Sequence, residues 1–369
     1  MAEERAPSRR YRLWPLDRRV LAGLVGTGAI IFGILACFAY AGGMFSPDLL
    51  TQARMIDRFE AVNGVHPGFR RNHAKGVCVA GYFDSNGNGA PLSRAVIFQQ
   101  GRIPVIGRFA LAGGNPFMAD TEPQVRSMAL SFRPANGEEW RTGMNNIPVF
   151  PVASPQSFYD QLLASRPDPA TGKPDPARMQ AFFQDHPEAD RAMALIRARP
   201  LATGFENSNY NSLNAFRFVD AAGVATPVRW SMVAAERFEP APDHPAAGAD
   251  DNRLFNALFA RLGRGPLQWH LVVTLGQPGD ATGDATIPWP ADRVHIDLGT
   301  LTIDHIEAEA PGNCRDVNFD PLVLPAGIVP SDDPLLSARS ATYATSFTRR
   351  AGEAKTPSAV QVPAADKGA

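Results

Sequence analysis

The residue with the clearest chemical potential is a tyrosine in a basic stretch near the end of the chain. Tyr343 follows Arg339 by one helical turn and precedes Arg350 by two turns, so a helix would place all three side chains on one face. A guanidinium group one turn away stabilises a phenolate, and a phenolate can bind a metal ion. The alternative is an ordinary tyrosine on a basic helix, and this segment alone favours that alternative.

A second group of reactive side chains lies far upstream. Arg70 and His73 belong to the pattern Arg-x-x-His-Ala-Lys-Gly, which ends where a strand-like run begins. A third group lies at 143–150, where Asn145 belongs to an Asn-Asn-Ile-Pro segment. A histidine is a candidate general base and an asparagine amide a hydrogen-bond donor, so the combination is typical of proton-transfer chemistry.

The elements that must position these residues are mainly β-strands. Alternating apolar runs separated by turn residues predict strands at 77–83, 95–99, 104–110, 126–132, 147–152, 215–219, 227–235, 268–275 and 300–307. Helices are predicted at 50–62, over much of 154–200, and at 251–262. This order indicates an antiparallel, β-rich body with helices inserted between two groups of strands.

These motifs, in this chain order, resemble the haem catalases. Further agreement comes from Arg108-Phe109, Asp284-Ala285-Thr286 and Asn318-Phe319-Asp320-Pro321, so the resemblance extends from about Gly64 to Arg350. It implies the fold of that family, an α+β fold built on a closed antiparallel β-barrel of about eight strands with inserted and flanking helices. Closure of the barrel would remove exposed sheet edges.

The resemblance also implies a cofactor, haem b (iron protoporphyrin IX), and a role for each matched residue. Tyr343 would be the iron ligand, held as a phenolate by Arg339. His73 would carry protons between the oxygens of a peroxide that Asn145 positions. The other matches would hold the porphyrin, three through its propionates and one by stacking: Arg70, Arg108, Arg350 and Phe158.

Three departures from the family pattern bear on the reaction. Ala110 stands where the family usually has a serine bonded to the distal histidine, so we expect His73 to lack that partner. Ala112 replaces a bulky valine and Gln124 replaces an aspartate, which predicts a wider and less polarised access route. The chain resembles the short catalase-related peroxidases, and we predict a peroxidase that reduces hydrogen peroxide or organic hydroperoxides with an organic electron donor. Weaker catalase activity is expected beside it.

Two other functions stay open from the sequence. The same fold serves enzymes that act as fatty-acid hydroperoxide lyases or isomerases, and a membrane anchor would bring such an enzyme close to lipid substrates. A non-catalytic haem-binding module is the other alternative, although the presence of both His73 and Asn145 argues against it. A monomer or dimer is expected, because the segments that interlock larger catalases are reduced here.

The N-terminal region predicts attachment to a membrane. Six arginines within residues 1–19 precede Val20 to Ala41, 22 residues without a charge, which as a helix would cross a bilayer core of roughly 30 Å. The basic segment 1–19 should stay in the cytoplasm and the remainder lie outside, on the periplasmic side. A cleaved signal peptide is the alternative, since Ala39-Tyr40-Ala41 fits a cleavage site. The net charge of -1 provides no basic excess for binding nucleic acid.

The remaining segments complete the predicted organisation. Residues 42–350 would form the haem domain, and residues 351–369, which have no apolar periodicity, would form a disordered tail. Cys37, Cys78 and Cys314 suit neither a disulfide framework nor a zinc site. In an exported body Cys78 and Cys314 could pair, and two buried thiols are an equally good interpretation.

Overall fold

The computed structural model describes residues 17–42, 44, 49–121, 124–242 and 250–361. The chain divides into two units, Met1–Thr51 and Gln52–Ala369. In the first unit, helix α1 covers Arg18–Ala41 and buries none of its residues. It is long and apolar enough to cross a membrane, a property that signal sequences share. Of the expected basic segment 1–19, residues 1–16 lie outside the described residues.

The second unit contains six helices and ten strands among its described residues. The helices are α2 (Gln52–Asn63), α3 (Pro155–Ala164), α4 (Pro176–Asp185), α5 (Pro187–Ala198), α6 (Arg253–Leu262) and α7 (Pro334–Ala351). The strands are β1 (Gly76–Ser85), β2 (Gly101–Leu111), β3 (Arg126–Phe132), β4 (Trp140–Asn145), β5 (Tyr210–Asn211), β6 (Phe216–Val219), β7 (Ala225–Ala234), β8 (Leu267–Leu275), β9 (His295–Ala308) and β10 (Ile328–Pro330).

The strands close into the predicted antiparallel barrel. Strands β1 to β4 pair in chain order, β4 pairs with β5, and β7, β8 and β9 follow before β9 returns to β1. Strands β5 and β6 pair with successive parts of β7 and therefore act as two parts of one strand. The ring has eight strand positions, and β10 adds to the free side of β6. Closure satisfies the backbone groups that an open edge would expose.

The interior of the barrel is filled by side chains, which leaves its outer face for the site. Alternate residues of β3 point inward, so Met128, Leu130 and Phe132 belong to the main hydrophobic core. Aromatic rings pack tightly there, with the Phe132 and Trp140 centroids 4.7 Å apart. The intervening residues of the same strands point outward.

Two predicted strands are wrong. Residues 95–99 contain a short 3-10 helix at Val96–Phe98 instead of a strand. The prediction failed because a short apolar run fits the periodicity of a helix as well as that of a strand. Residues 147–152 form no strand. The strand in this region is β4, which lies just upstream at Trp140–Asn145. That strand buries Trp140, Thr142 and Met144 in alternation, but its arginine, glycine and asparagine obscure the pattern.

Helices α2, α3 and α7 pack against one another. Helix α7 begins at Pro334 after Asp333, whose side chain accepts a hydrogen bond from the backbone N–H of Leu335, and it ends before Gly352. Ser154 caps α3 in a reciprocal capping box with Ser157. These caps fix where each helix starts, and hence where its side chains project.

The prediction of a disordered tail is wrong for residues 352–361. Val360 is 1% exposed and belongs to the main core, and the Ser358 hydroxyl accepts a hydrogen bond of 2.7 Å from the backbone N–H of Ala310. Single anchoring residues of this kind produce no periodic pattern, so the sequence conceals them. Residues 362–369 lie outside the described part of the chain.

Two of the three cysteines form a disulfide. Cys78 in β1 and Cys314 in the loop after β9 are fully buried and bonded to each other. Cys37, in α1, is exposed and free. The pairing resolves the two interpretations that the sequence left open, and it joins positions 236 residues apart.

Candidate active site

All eight predicted site residues line one cavity in the second unit. Between the outer face of β2–β4 and helices α2, α3 and α7, about 1200 Å³ is free of protein atoms, the solvent at its mouth included. Apolar side chains form much of the wall: Met55, Ile56, Phe59, Phe150, Phe319, Leu335 and Phe347. A largely apolar cavity with a few convergent polar groups is typical of a cofactor or substrate site.

The register of the barrel brings the motifs together. Ser127 in β3 lies opposite Ala110 in β2 on one side and opposite Asn145 in β4 on the other. Two residues along each strand, Ala129 lies between Arg108 and Gly143. Because side chains alternate along a strand, both rows project from the same face. Residues from separate motifs therefore become lateral neighbours.

His73 sits in the loop before β1 with its backbone held from two sides. Its φ is 53°, a left-handed conformation uncommon for residues other than glycine. The Asn72 side-chain oxygen accepts hydrogen bonds from the backbone N–H groups of His73 and Gly113, which ties the loop to the end of β2. Burial, followed by the charges of Arg108, Arg339 and Arg70, lowers the pKa of His73 to about 3. The imidazole is therefore neutral at ordinary pH.

The expectation that His73 lacks an orienting partner is wrong. Its Nδ1 atom lies 3.0 Å from the hydroxyl oxygen of Ser127. Ala110, which stands where the family usually has a serine, is the residue directly opposite Ser127 in the neighbouring strand. The hydroxyl thus comes from β3 instead of β2, and only the strand register could have revealed it.

Tyr343 and Arg339 approach the sheet at Gly143. A Cβ atom at Gly143 would lie 3.7 Å from the phenol oxygen of Tyr343 and 3.6 Å from Nη2 of Arg339. The Arg339 guanidinium carbon lies 6.0 Å from the centroid of the Tyr343 ring. The phenol oxygen thus lies against the outer face of the sheet, and the guanidinium supplies positive charge beside the phenol.

Two residues that the sequence did not single out hold Arg339. The guanidinium donates to the side-chain oxygen of Asn214, which is fully buried, and the Asn214 amide donates to Asp333 over 2.7 Å. Burial raises the pKa of Asp333, while Asn214 and the backbone of Leu335 oppose the shift. Since Asp333 also caps α7, one chain of hydrogen bonds fixes both the helix and the arginine that it carries. No local motif predicts this series of hydrogen bonds, because Asn214 lies far from α7 in the sequence.

Arg70, Arg108 and Arg350 gather around a carboxylate that the sequence also did not single out. Arg108 binds Glu309 through two hydrogen bonds of 2.7 and 2.9 Å, and Arg70 Nε lies 3.5 Å from the same carboxylate. Burial alone would raise the pKa of Glu309, but the charge and hydrogen bonds of Arg108, with Arg70 and Arg350, lower it to about 2. Glu309 is therefore an anion at every working pH.

This cluster carries more positive than negative charge. Burial, then the charges of Arg350 and Arg108, lowers the pKa of Arg70 well below its usual value. Three guanidinium groups face one carboxylate, so a ligand with about two negative charges would balance them. Phe158 in α3 lies in the apolar part of the cavity, with its ring 5.7 Å from Phe59 and 5.9 Å from Phe150. An apolar cavity with a phenol in its wall and a cationic cluster fits a doubly anionic porphyrin.

The two residues expected to widen the access route do not border this cavity among the described residues. Ala112 and Gln124 are absent from its lining, and the Gln124 side chain accepts a hydrogen bond from the backbone N–H of Thr121 over 2.9 Å. The wider route thus stays a prediction.

Comparison with known proteins is consistent with this arrangement. A family model described as Catalase matches residues 40–366. The chain is 38% identical over 317 residues to a catalase-related peroxidase of Synechococcus elongatus, covering 86% of this chain and 94% of that protein. It is 33% identical over 306 residues to a catalase-related peroxidase of Mycolicibacterium paratuberculosis, covering 82% and 96%.

Proteins named simply catalase are more distant. The catalase of Pseudomonas syringae is 26% identical over 322 residues, which cover 84% of this chain and 63% of that one. Among solved structures, catalase A of Saccharomyces cerevisiae has a TM-score of 0.69 at 21% identity, covering 83% of this chain and 66% of that chain. At such identity the likeness concerns the fold, and it agrees with the closed barrel described above.

Proposed function

The chain belongs to the catalase family, and we propose that it is a haem-dependent peroxidase with weaker catalase activity. Its substrate would be hydrogen peroxide or an organic hydroperoxide, and its reductant an organic electron donor. The observation that carries the proposal is the convergence of all eight motif residues on one cavity that can accommodate a doubly anionic porphyrin.

The residues of this chain would hold haem b in defined ways. Tyr343 would bind the iron, with Arg339 stabilising its phenolate, and Phe158 would stack on the porphyrin. Arg70, Arg350 and the free face of Arg108 would bind the propionates. When bound, haem would supply the redox chemistry that divides the peroxide O–O bond.

His73 and Asn145 would handle the peroxide itself. A neutral imidazole accepts a proton from one peroxide oxygen and returns it to the other, which then leaves as water. The Asn145 amide donates a hydrogen bond that holds the peroxide in place. Reduction of hydrogen peroxide to two waters consumes two electrons and two protons, which the donor supplies. The pKa of about 3 for His73 supports this role, since the base is unprotonated at neutral pH.

The emphasis on peroxidase over catalase activity rests on relatedness. Identity is 38% and 33% to relatives named catalase-related peroxidase, but 26% to the Pseudomonas syringae catalase.

We also propose that α1 anchors the protein and that the haem domain, from residue 42 to 350, lies on the extracytoplasmic side. The length and exposure of α1 support an anchor. The disulfide supports an oxidising compartment, since cytosolic reductants keep thiols reduced.

An absorbance spectrum and a donor comparison test the proposal. The purified protein should show a Soret band that changes in Tyr343→Phe. Hydrogen peroxide consumption should rise several-fold when a phenolic donor such as guaiacol is added. A colourless protein produced with ample haem supply would contradict the cofactor, whereas efficient peroxide dismutation with no donor oxidation would contradict the peroxidase emphasis.

A further inference from the structure

Ser127 occupies a position that none of the motifs includes, yet it contacts the proposed base directly. We propose that Ser127 is the positioning residue of His73 and selects the tautomer whose Nε2 is the unprotonated base. This inference rests on the proposed function, in which His73 moves the protons of the peroxide. It assigns to β3 the orienting hydroxyl that position 110 of β2 lacks.

The two contacts of the Ser127 hydroxyl favour one assignment of donor and acceptor. Its hydroxyl oxygen lies 3.0 Å from His73 Nδ1 and 3.4 Å from the carbonyl oxygen of Ala110. The carbonyl can only accept, so the single hydroxyl proton satisfies both contacts when it points to Ala110. Ser127 then accepts from Nδ1–H. The proton of the neutral ring is thereby placed on Nδ1, which leaves the lone pair of Nε2 free.

The backbone contacts around His73 fix its main chain but not the orientation of its ring, which Ser127 controls. Asn72 fixes the main chain of His73, and the Ala74 N–H donates to the carbonyl of Gly113 over 2.9 Å. These contacts place the Cα atom of His73 but do not select between two ring orientations about χ2. The Ser127 hydroxyl, 3.0 Å from Nδ1, does select one ring orientation. A flipped ring would place a carbon atom at this position, and carbon cannot form the hydrogen bond.

The strand register explains why a hydroxyl on β3 can orient the His73 ring. Ala110 and Ser127 are direct cross-strand partners, and Cβ atoms of such pairs lie about 4.5–5.5 Å apart. A side chain of serine length at either position can thus reach the same ring nitrogen. The pair offers its own test, since the hydroxyl can be moved back across the strands.

The test measures cyanide binding to the ferric holoprotein by titration of the Soret band. Hydrogen cyanide delivers a proton when it binds, and a correctly oriented distal base is needed to receive it. We expect Ser127→Ala to raise the dissociation constant about tenfold, the worth of one hydrogen bond to a group that becomes charged. The double variant Ser127→Ala/Ala110→Ser should recover most of the wild-type affinity.

Two controls separate positioning from general structural damage. Ser131→Ala removes a buried hydroxyl from the same face of β3, where it contacts Glu139 and Arg133, and it should leave cyanide affinity unchanged. His73→Ala should weaken cyanide at least as much as Ser127→Ala. The Soret absorbance per protein reports the folded, haem-loaded fraction of each variant.

The outcomes distinguish this inference from the function on which it rests. Wild-type cyanide affinity in Ser127→Ala, with His73→Ala impaired, would overturn the role of Ser127 alone. A double variant as weak as Ser127→Ala would overturn the claim that a serine at the facing position 110 can orient the same ring nitrogen. A wild-type protein without a Soret band would overturn the proposed function and this inference together.

Discussion

Removal of the Cys78–Cys314 disulfide should destabilise the domain strongly. The bond closes a loop of 236 residues. Chain-entropy arguments give about 18 cal/mol/K for such a loop, or roughly 5.5 kcal/mol at 25 °C, slightly above the 2–5 kcal/mol typical of native disulfides. Against a total stability of about 5–15 kcal/mol, this is a large fraction.

The same bond should influence the site. Arg70 donates hydrogen bonds of 3.0 and 3.2 Å to the carbonyl oxygens of Cys314 and Val317. When Cys314 is released from β1, this loop can move, and the guanidinium loses the partners that aim it at the cavity. We therefore expect Cys78→Ala/Cys314→Ala to bind haem several-fold more weakly as well as to unfold at lower urea concentration.

Urea unfolding followed by fluorescence of the buried Trp140, Trp230 and Trp269 measures the effect. Cys37→Ala is the matched control, since this exposed cysteine lies in α1 and makes no disulfide, and it should leave the transition unchanged. A loss below about 1 kcal/mol in the double variant would refute the entropic reasoning. Free thiols at both positions in protein purified without reductant would refute the pairing.

Three further outcomes are expected. Tyr343→Phe should lose the wild-type Soret spectrum and most peroxide turnover, whereas Tyr159→Phe, whose hydroxyl contacts Arg58 instead, should retain both. The unfolded state binds a proton at His73 below a pKa of about 6.5 and the folded state only near 3, so the haem-free domain should lose up to about 5 kcal/mol of stability as pH falls through that window. His73→Gln should remove that part of the pH dependence, and an unchanged profile would contradict the burial of a neutral imidazole. Glu309→Gln should lower the free energy of unfolding by roughly 3 kcal/mol above pH 4.5, because the carboxylate pKa of about 2 corresponds to stability that is lost as pH falls from 4.5 to 2. Equal stability of the variant and the wild-type protein at pH 7 would contradict this role of Glu309.

The sequence predicts the parts of the fold and site that are encoded locally. Strand β3 has the predicted bounds, and helix α7 carries Arg339, Tyr343 and Arg350 as their spacing indicated. The resemblance to a family supplied the closed barrel and the convergence on one cavity, neither of which strand signals alone specify.

What the sequence could not give depends on contacts between distant positions. Glu309 lies 201 residues from Arg108, and Asn214 lies 125 residues from Arg339, so no motif connects them. The disulfide could not be chosen over two buried thiols by counting cysteines. Ser127 was missed because its importance follows from strand register and not from its own neighbours in the chain.

The cross-strand placement of the Ser127 hydroxyl has a wider consequence. In an antiparallel sheet, side chains at facing positions of adjacent strands lie close enough for either one to supply the same group to a reacting centre. A comparison of aligned columns would register one loss and one unrelated gain. When catalytic residues are assigned in barrel enzymes, facing positions of adjacent strands should therefore be considered together, because either position can supply the same functional atom.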